Sequence, residues 1–136
     1  MIQFYLLSVV LNVIAGYALY SFQAEAKGTR FDGVREFIQD STTRLLLGVL
    51  CGTTGMFKLL TVMRGDLPVI GDLVPAVAGM AAGFTMLLEL YRSGAAAPSP
   101  AVQRLDSLFV ANRRIIGIVS MASGLIHFLF ANVLFL

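Results

Sequence analysis

The chain has 136 residues, 57% of them hydrophobic and only 13% charged, with a mean hydropathy of +0.82. A soluble fold of this size has no way to hide so much apolar surface, so the composition excludes an ordinary water-soluble enzyme or binding domain. The net charge of +2 and pI near 9.0 do not mark a nucleic-acid protein either, because the basic residues flank apolar runs instead of forming a solvated basic domain.

Met1 to Phe22 carries no charged side chain. At about 1.5 Å per residue it reaches about 33 Å, enough for the ~30 Å hydrocarbon layer of a bilayer. It lacks the basic start and short apolar core of a secretory signal, so residues 1–22 are expected to be a retained first span. A second span is expected over residues 45–63, interrupted only by Lys58. The third, 73–90, has Pro75 in its first turn and Glu89 at its far end. The fourth, 115–136, holds His127 as its sole ionisable side chain. Cys51 is the single cysteine; it excludes an internal disulfide and reads as a small hydrophobe inside span two.

Eight of the ten basic residues fall in two connections: Lys27, Arg30, Arg35 and Arg44 between spans one and two, and Arg92, Arg104, Arg113 and Arg114 between spans three and four. With four spans these connections share one side, which the positive-inside rule places in the cytoplasm, leaving both termini and the turn from Arg64 to Asp72 outside. Each connection also carries an amphipathic piece: Phe31, Val34, Phe37 and Ile38 in the first, Val102, Leu105, Leu108 and Phe109 in the second. That spacing fits one face of a helix, so short helices in the membrane interface are expected. Gly94 to Pro100 reads as a linker.

The halves resemble one another. A shift of 69 carries Arg44, Gly48, Gly55 and Lys58 onto Arg113, Gly117, Gly124 and His127, and a shift of 67 carries Ala15, Gly16 and Tyr17 onto Ala82, Gly83 and Phe84. The expected unit is a helical hairpin, 1–66, repeated as 67–136 in the same orientation, with a pseudo-twofold along the membrane normal.

Gly48, Gly52, Gly55, Gly79, Gly83, Gly117 and Gly124 form small faces at helical spacing. Such faces let helix backbones approach closely, within the chain or against a partner or second copy. Lys58 and His127 each lie 14 residues past an arginine, about 21 Å along a helix, and a titratable group inside a span is a functional hypothesis by default. Either they line a polar pocket or ion path, facing Asp66 or Asp72 and joined by Asn12, or Lys58 reaches the interface while His127 and Asn12 hydrogen-bond neighbouring helices. Glu89 is expected to pair with Arg92 one turn on. Arg44, Arg113 and Arg114 are expected at lipid phosphates. No metal site is expected, since His127 has no second ligand at i+3 or i+4, and no cofactor or catalytic residue, since no span holds paired carboxylates or a nucleophile with a base in reach.

The run from Arg44 through Gly48, then Gly55 and Lys58, resembles the first-span signature of the DoxX-like membrane proteins, in which an arginine opens the span and a glycine and a lysine follow it. Span four repeats the pattern with Arg113, Gly124 and His127, and the similarity covers about 20 residues in each copy. The chain departs from that family in having a span before the motif and no acidic residue early in the next one. The resemblance implies a four-helix bundle beside quinone-linked or redox partners in the cytoplasmic membrane. The proton-translocating ring subunits of rotary ATPases also have duplicated hairpins, but they need a carboxylate at mid-membrane, and span four offers His127 instead.

The expectation is therefore an all-α polytopic membrane four-helix bundle, two tandem hairpins with short interfacial helices, in the cytoplasmic (inner) membrane. Its expected role is a non-enzymatic subunit or accessory protein packing against other membrane components or a second copy of itself, without nucleic acid. The alternatives are a small oligomeric transporter or channel with a path near Lys58, His127 and Asn12, and a subunit of a quinone-linked redox complex.

Overall fold

Long apolar runs leave each backbone amide and carbonyl to be satisfied within its own segment, and the helix is the structure that does so. A computed structural model of the chain describes residues 2–22, 28, 30–62 and 73–130, and they are all-helical, with no strand among them. The elements are α1 (Ile2–Ser21), α2 (Asp32–Gln39), α3 (Ser41–Val62), α4 (Leu73–Gly94) and α5 (Pro100–Leu105). A π-helical turn, Asp106–Val110, continues α5 and is followed by α6 (Arg113–Leu129).

Two of the helix starts follow from side-chain capping. The Asp40 carboxylate accepts from the backbone N–H of Thr42 at 3.0 Å and of Thr43 at 3.3 Å, which starts α3 ahead of the apolar run and brings Arg44 inside the helix. Ser99 accepts from Val102 N–H at 3.4 Å, with Pro100 in the first position of α5.

Among the described residues α3, over Ser41–Leu60, and α4 are long and apolar enough to cross a membrane. The segment Pro100–Val110 with α6 qualifies as a third once its 52° bend is accepted, while the apolar part of α1, Tyr5–Ser21, is shorter. Of the expected spans, residues 1, 63 and 131–136 lie outside the described residues.

The four long helices lie side by side. α1 and α4 touch each other at the centre, and each packs on both α3 and α6, which flank them. The most extensive packing joins α3 to α4 and α1 to α6, so the tightest interfaces run between the halves 1–66 and 67–136 and not inside either one. Glycine creates them. A Cβ on Gly48 would stand 3.2 Å from the carbonyl of Gly83, and one on Gly117 would stand 2.7 Å from the carbonyl of Gly16. Farther along, Gly55 faces the carbonyl of Ala76 and Gly124 that of Val9. Each contact at the α3–α4 interface has a counterpart at α1–α6 under the two shifts read from the sequence, 67 for α1 onto α4 and 69 for α3 onto α6. Gly52 is the exception, with open space where its side chain would be.

The buried centre consists of Leu11, Ala15, Ala18 and Leu19 of α1, Ile38 of α2, Cys51 of α3, and Ala82 and Met86 of α4. The outward faces carry the large apolar side chains, among them Leu46, Phe57, Val77, Ile115 and Phe128, all exposed.

The two amphipathic pieces are used differently. In the first piece Ile38 of α2 is buried, while Val34 and Phe37 of α2 and the preceding Phe31 are exposed. In the second piece Val110 is buried, and the Phe109 ring meets Phe84 of α4 edge-on at 4.9 Å. An ion pair of 3.0 Å from Arg92 to Asp106 ties the π turn to α4.

Candidate functional site

Polar side chains gather at three levels inside the helices, about 10 Å apart as judged from the seven-residue steps between Arg113, Ser120 and His127 on α6. They fall at the ends and the middle of the core.

At the end where α3 and α6 finish, Lys58 and His127 are both buried, and Lys58 Nζ lies 3.3 Å from His127 Nε2. A hydrogen bond between two nitrogens needs a lone pair on one of them, so while it is made the pair carries at most one positive charge. Tyr5 of α1 completes the group: its hydroxyl donates to the His127 carbonyl, its ring lies 4.6 Å from the imidazole, and Lys58 stands over it at 5.8 Å. Lys58 is therefore turned inward, to α6 and α1. Asp66 and Asp72, the acids expected to face it, lie outside the described residues.

At the middle level Asn12 uses its whole amide. Its Nδ2 donates to the carbonyls of Ser8 at 2.9 Å and Pro75 at 3.1 Å, and its Oδ1 accepts from Ser120 Oγ at 2.9 Å. Three helices, α1, α4 and α6, are joined through one side chain. Gly79 makes room for it, since a Cβ there would stand 3.3 Å from the amide. The space beside Asn12, bounded by Leu11, Cys51, Thr54 and Gly55, is too tight for a water molecule. This level is a packed polar joint and not a section of an open pore.

At the opposite end Arg44 of α3 and Arg113 of α6 converge on one carboxylate, Glu89 of α4. Arg44 Nη2 donates to Glu89 Oε2, and Arg113 Nη1 donates to Oε1 at 3.0 Å. Both guanidiniums also stand over the ring of Phe22, at 4.7 Å and 4.1 Å. The expected Glu89–Arg92 pair is thus corrected: α3 and α6 bring two cations to Glu89 from across the fold, and Arg92 turns to Asp106. The same packing turns Arg44 and Arg113 onto an internal carboxylate. Arg114 is exposed, with its guanidinium 5.3 Å from the Tyr20 ring.

The glycines singled out by spacing are placed at helix contacts inside the chain, Gly52 through its backbone alone, since a Cβ on Gly83 would stand 2.8 Å from its nitrogen. Sequence reasoning missed Tyr5, Ser120, Phe22 and the central position of Glu89. A signal for one of these was present, since the shift of 67 that aligns Gly16 with Gly83 also places Phe22 on Glu89.

These features define an all-helical protein whose long helices carry apolar outer faces and a buried polar core. The chain belongs to the protein family whose model matches residues 1–127. It is similar to a protein of Treponema pallidum (strain Nichols) described as an uncharacterized protein, with 32% identity over 136 residues and 100% of both chains covered. No solved structure matches it.

Proposed function

We propose that the chain is a multi-pass protein of the cytoplasmic membrane, a four-helix bundle of two tandem hairpins with both termini outside, that acts as a non-enzymatic subunit or accessory protein of a membrane assembly. The observation that carries this is the distribution of polarity. Arg44, Lys58, His127, Asn12 and Ser120 are buried, while large aliphatic and aromatic side chains cover the outer faces of the long helices. Water would favour the reverse arrangement, and a lipid phase favours this one.

The glycine faces are taken up by internal packing, which leaves the exposed strip of Phe31, just ahead of α2, with Val34 and Phe37 on it as surface for the membrane interface or a partner. The buried ionic and amide groups hold four helices in one register, a role polar groups serve where lipid gives no hydrophobic drive between helices. The test is to extract the native protein from membranes in mild detergent and identify what accompanies it. Stoichiometric membrane proteins support the accessory role; a chain that stays monodisperse in plain buffer overturns it.

A second reading, a small oligomeric transporter, draws on the contact between Lys58 and His127, two titratable groups buried inside the helices. The closed packing at Asn12 weighs against a standing channel. Reconstituted vesicles decide it: solute or proton flux that disappears in Lys58→Met favours transport. A quinone that co-purifies would instead favour the redox reading.

A further inference from the structure

The arginine end holds more cation than anion. Arg44 is 6% exposed, and the side chains of Arg113 and Glu89 are 15% and 8% exposed, so little water is present to spread the surplus charge. Among the described residues Glu89 is the one carboxylate within ion-pair distance of either guanidinium. One buried and one partly buried cation share one anion, an arrangement that is costly unless a further negative group completes it.

The donors confirm the shortfall. The Nε–H groups of both Arg44 and Arg113 are buried without a hydrogen-bond partner. Guanidinium forks suit the paired oxygens of a phosphate or carboxylate, and Nε–H is one arm of the fork. α6 begins at this end beside Arg113, and its first turn has no side-chain cap.

Phe22 holds the position that corresponds to Glu89 in the other half of the chain. The shift that relates α1 contacts to α4 contacts carries Phe22 onto Glu89, and the Phe22 ring lies against both guanidiniums while 42% exposed. The covered cation pair therefore has an apolar, partly open side at the end of α1.

We propose that Arg44 and Arg113, beside Glu89 and beneath Phe22, form a binding site for one phosphate-type oxyanion, admitted when the Phe22 ring moves aside. The chemistry is shared by a free phosphate group and by the headgroup phosphate of a lipid. The lipid source rests on the membrane reading; the free-anion source does not.

The test uses the purified full chain. Inorganic phosphate is titrated calorimetrically, and retention of phosphatidic acid is compared by native mass spectrometry with diacylglycerol of the same acyl chains, which lacks the phosphate. Saturable binding of phosphate assigns a free-anion site. Retention of phosphatidic acid over diacylglycerol, without a response to phosphate, assigns a lipid site. Phe22→Glu supplies the missing carboxylate from within and is expected to weaken either interaction by roughly tenfold or more, while the melting temperature holds or rises. Phe22→Ala, which uncovers the pair without adding charge, keeps the binding. Absence of both interactions in the unaltered chain overturns the proposal, as does binding that Phe22→Glu leaves unchanged. A chain that needs no detergent sinks the membrane reading and still permits the phosphate titration.

Discussion

Lys58 Nζ lies 3.3 Å from Nε2 of His127, joining α3 to α6 across 69 positions of sequence. Both partners are buried, so each single replacement removes this polar contact from a site poor in water. Lys58→Met and His127→Leu are each expected to lower stability by about 1–3 kcal/mol. The double variant should lose less than the sum, with a coupling of about 0.5–3 kcal/mol, measured by reversible unfolding in a mixed-detergent series. Strict additivity would mean that the contact does not form.

Glu89 separates two accounts of the arginine end. Glu89→Gln leaves Arg44 and Arg113 facing each other without a carboxylate and is expected to cost about 3–5 kcal/mol. Arg92→Gln removes an ion pair whose arginine is 53% exposed, and should cost no more than about 1 kcal/mol. Equal effects in the two variants would return Glu89 to a local pair with Arg92.

The glycine contacts predict an unequal response to added bulk. Gly83→Val and Gly117→Val drive side-chain atoms into the facing backbones of Gly48 and Gly16, so both are expected to abolish the compact fold or lower its melting temperature sharply. Gly52→Ala meets open space, and alanine favours helix over glycine by up to about 1 kcal/mol, so that variant should melt at the same temperature or higher. The reverse order would be incompatible with this packing.

Asn12 joins three helices, and its replacement by leucine should cost about 1–2 kcal/mol, as measured for interhelical polar contacts in apolar surroundings. Ser120→Ala, which removes a single donor to Asn12, is expected to cost less. A neutral Asn12→Leu would show that the amide contributes nothing to holding α1, α4 and α6 together.

The proposed orientation predicts which residues share a side. Cysteines placed at positions 30 and 104, in a chain whose own Cys51 is buried, should react with impermeant thiol reagents from the same face of sealed vesicles. Labelling from opposite faces would break the paired-hairpin arrangement while leaving the helices intact.

Residues near one another in sequence settled the helices themselves. Uninterrupted apolar stretches act over a few residues, and the long helices formed close to where they put them, while the caps at Asp40 and Ser99, with Pro100 in a first turn where a linker was expected, set starts that the apolar pattern does not mark. The shifts of 67 and 69 were likewise legible, and the contacts of Gly48 and Gly117 correspond under them. Small faces announce that something approaches closely, but they do not name the partner. Only tertiary packing decided that α1 lies on α6 and α3 on α4, because that choice depends on how all four faces interlock at once. For the same reason Glu89 was read as the neighbour of Arg92, three residues away, when its carboxylate belongs to Arg44 and Arg113. Helical spacing fixes which charges share a face of one helix, whereas a buried ion pair is chosen by which helices the interior brings together.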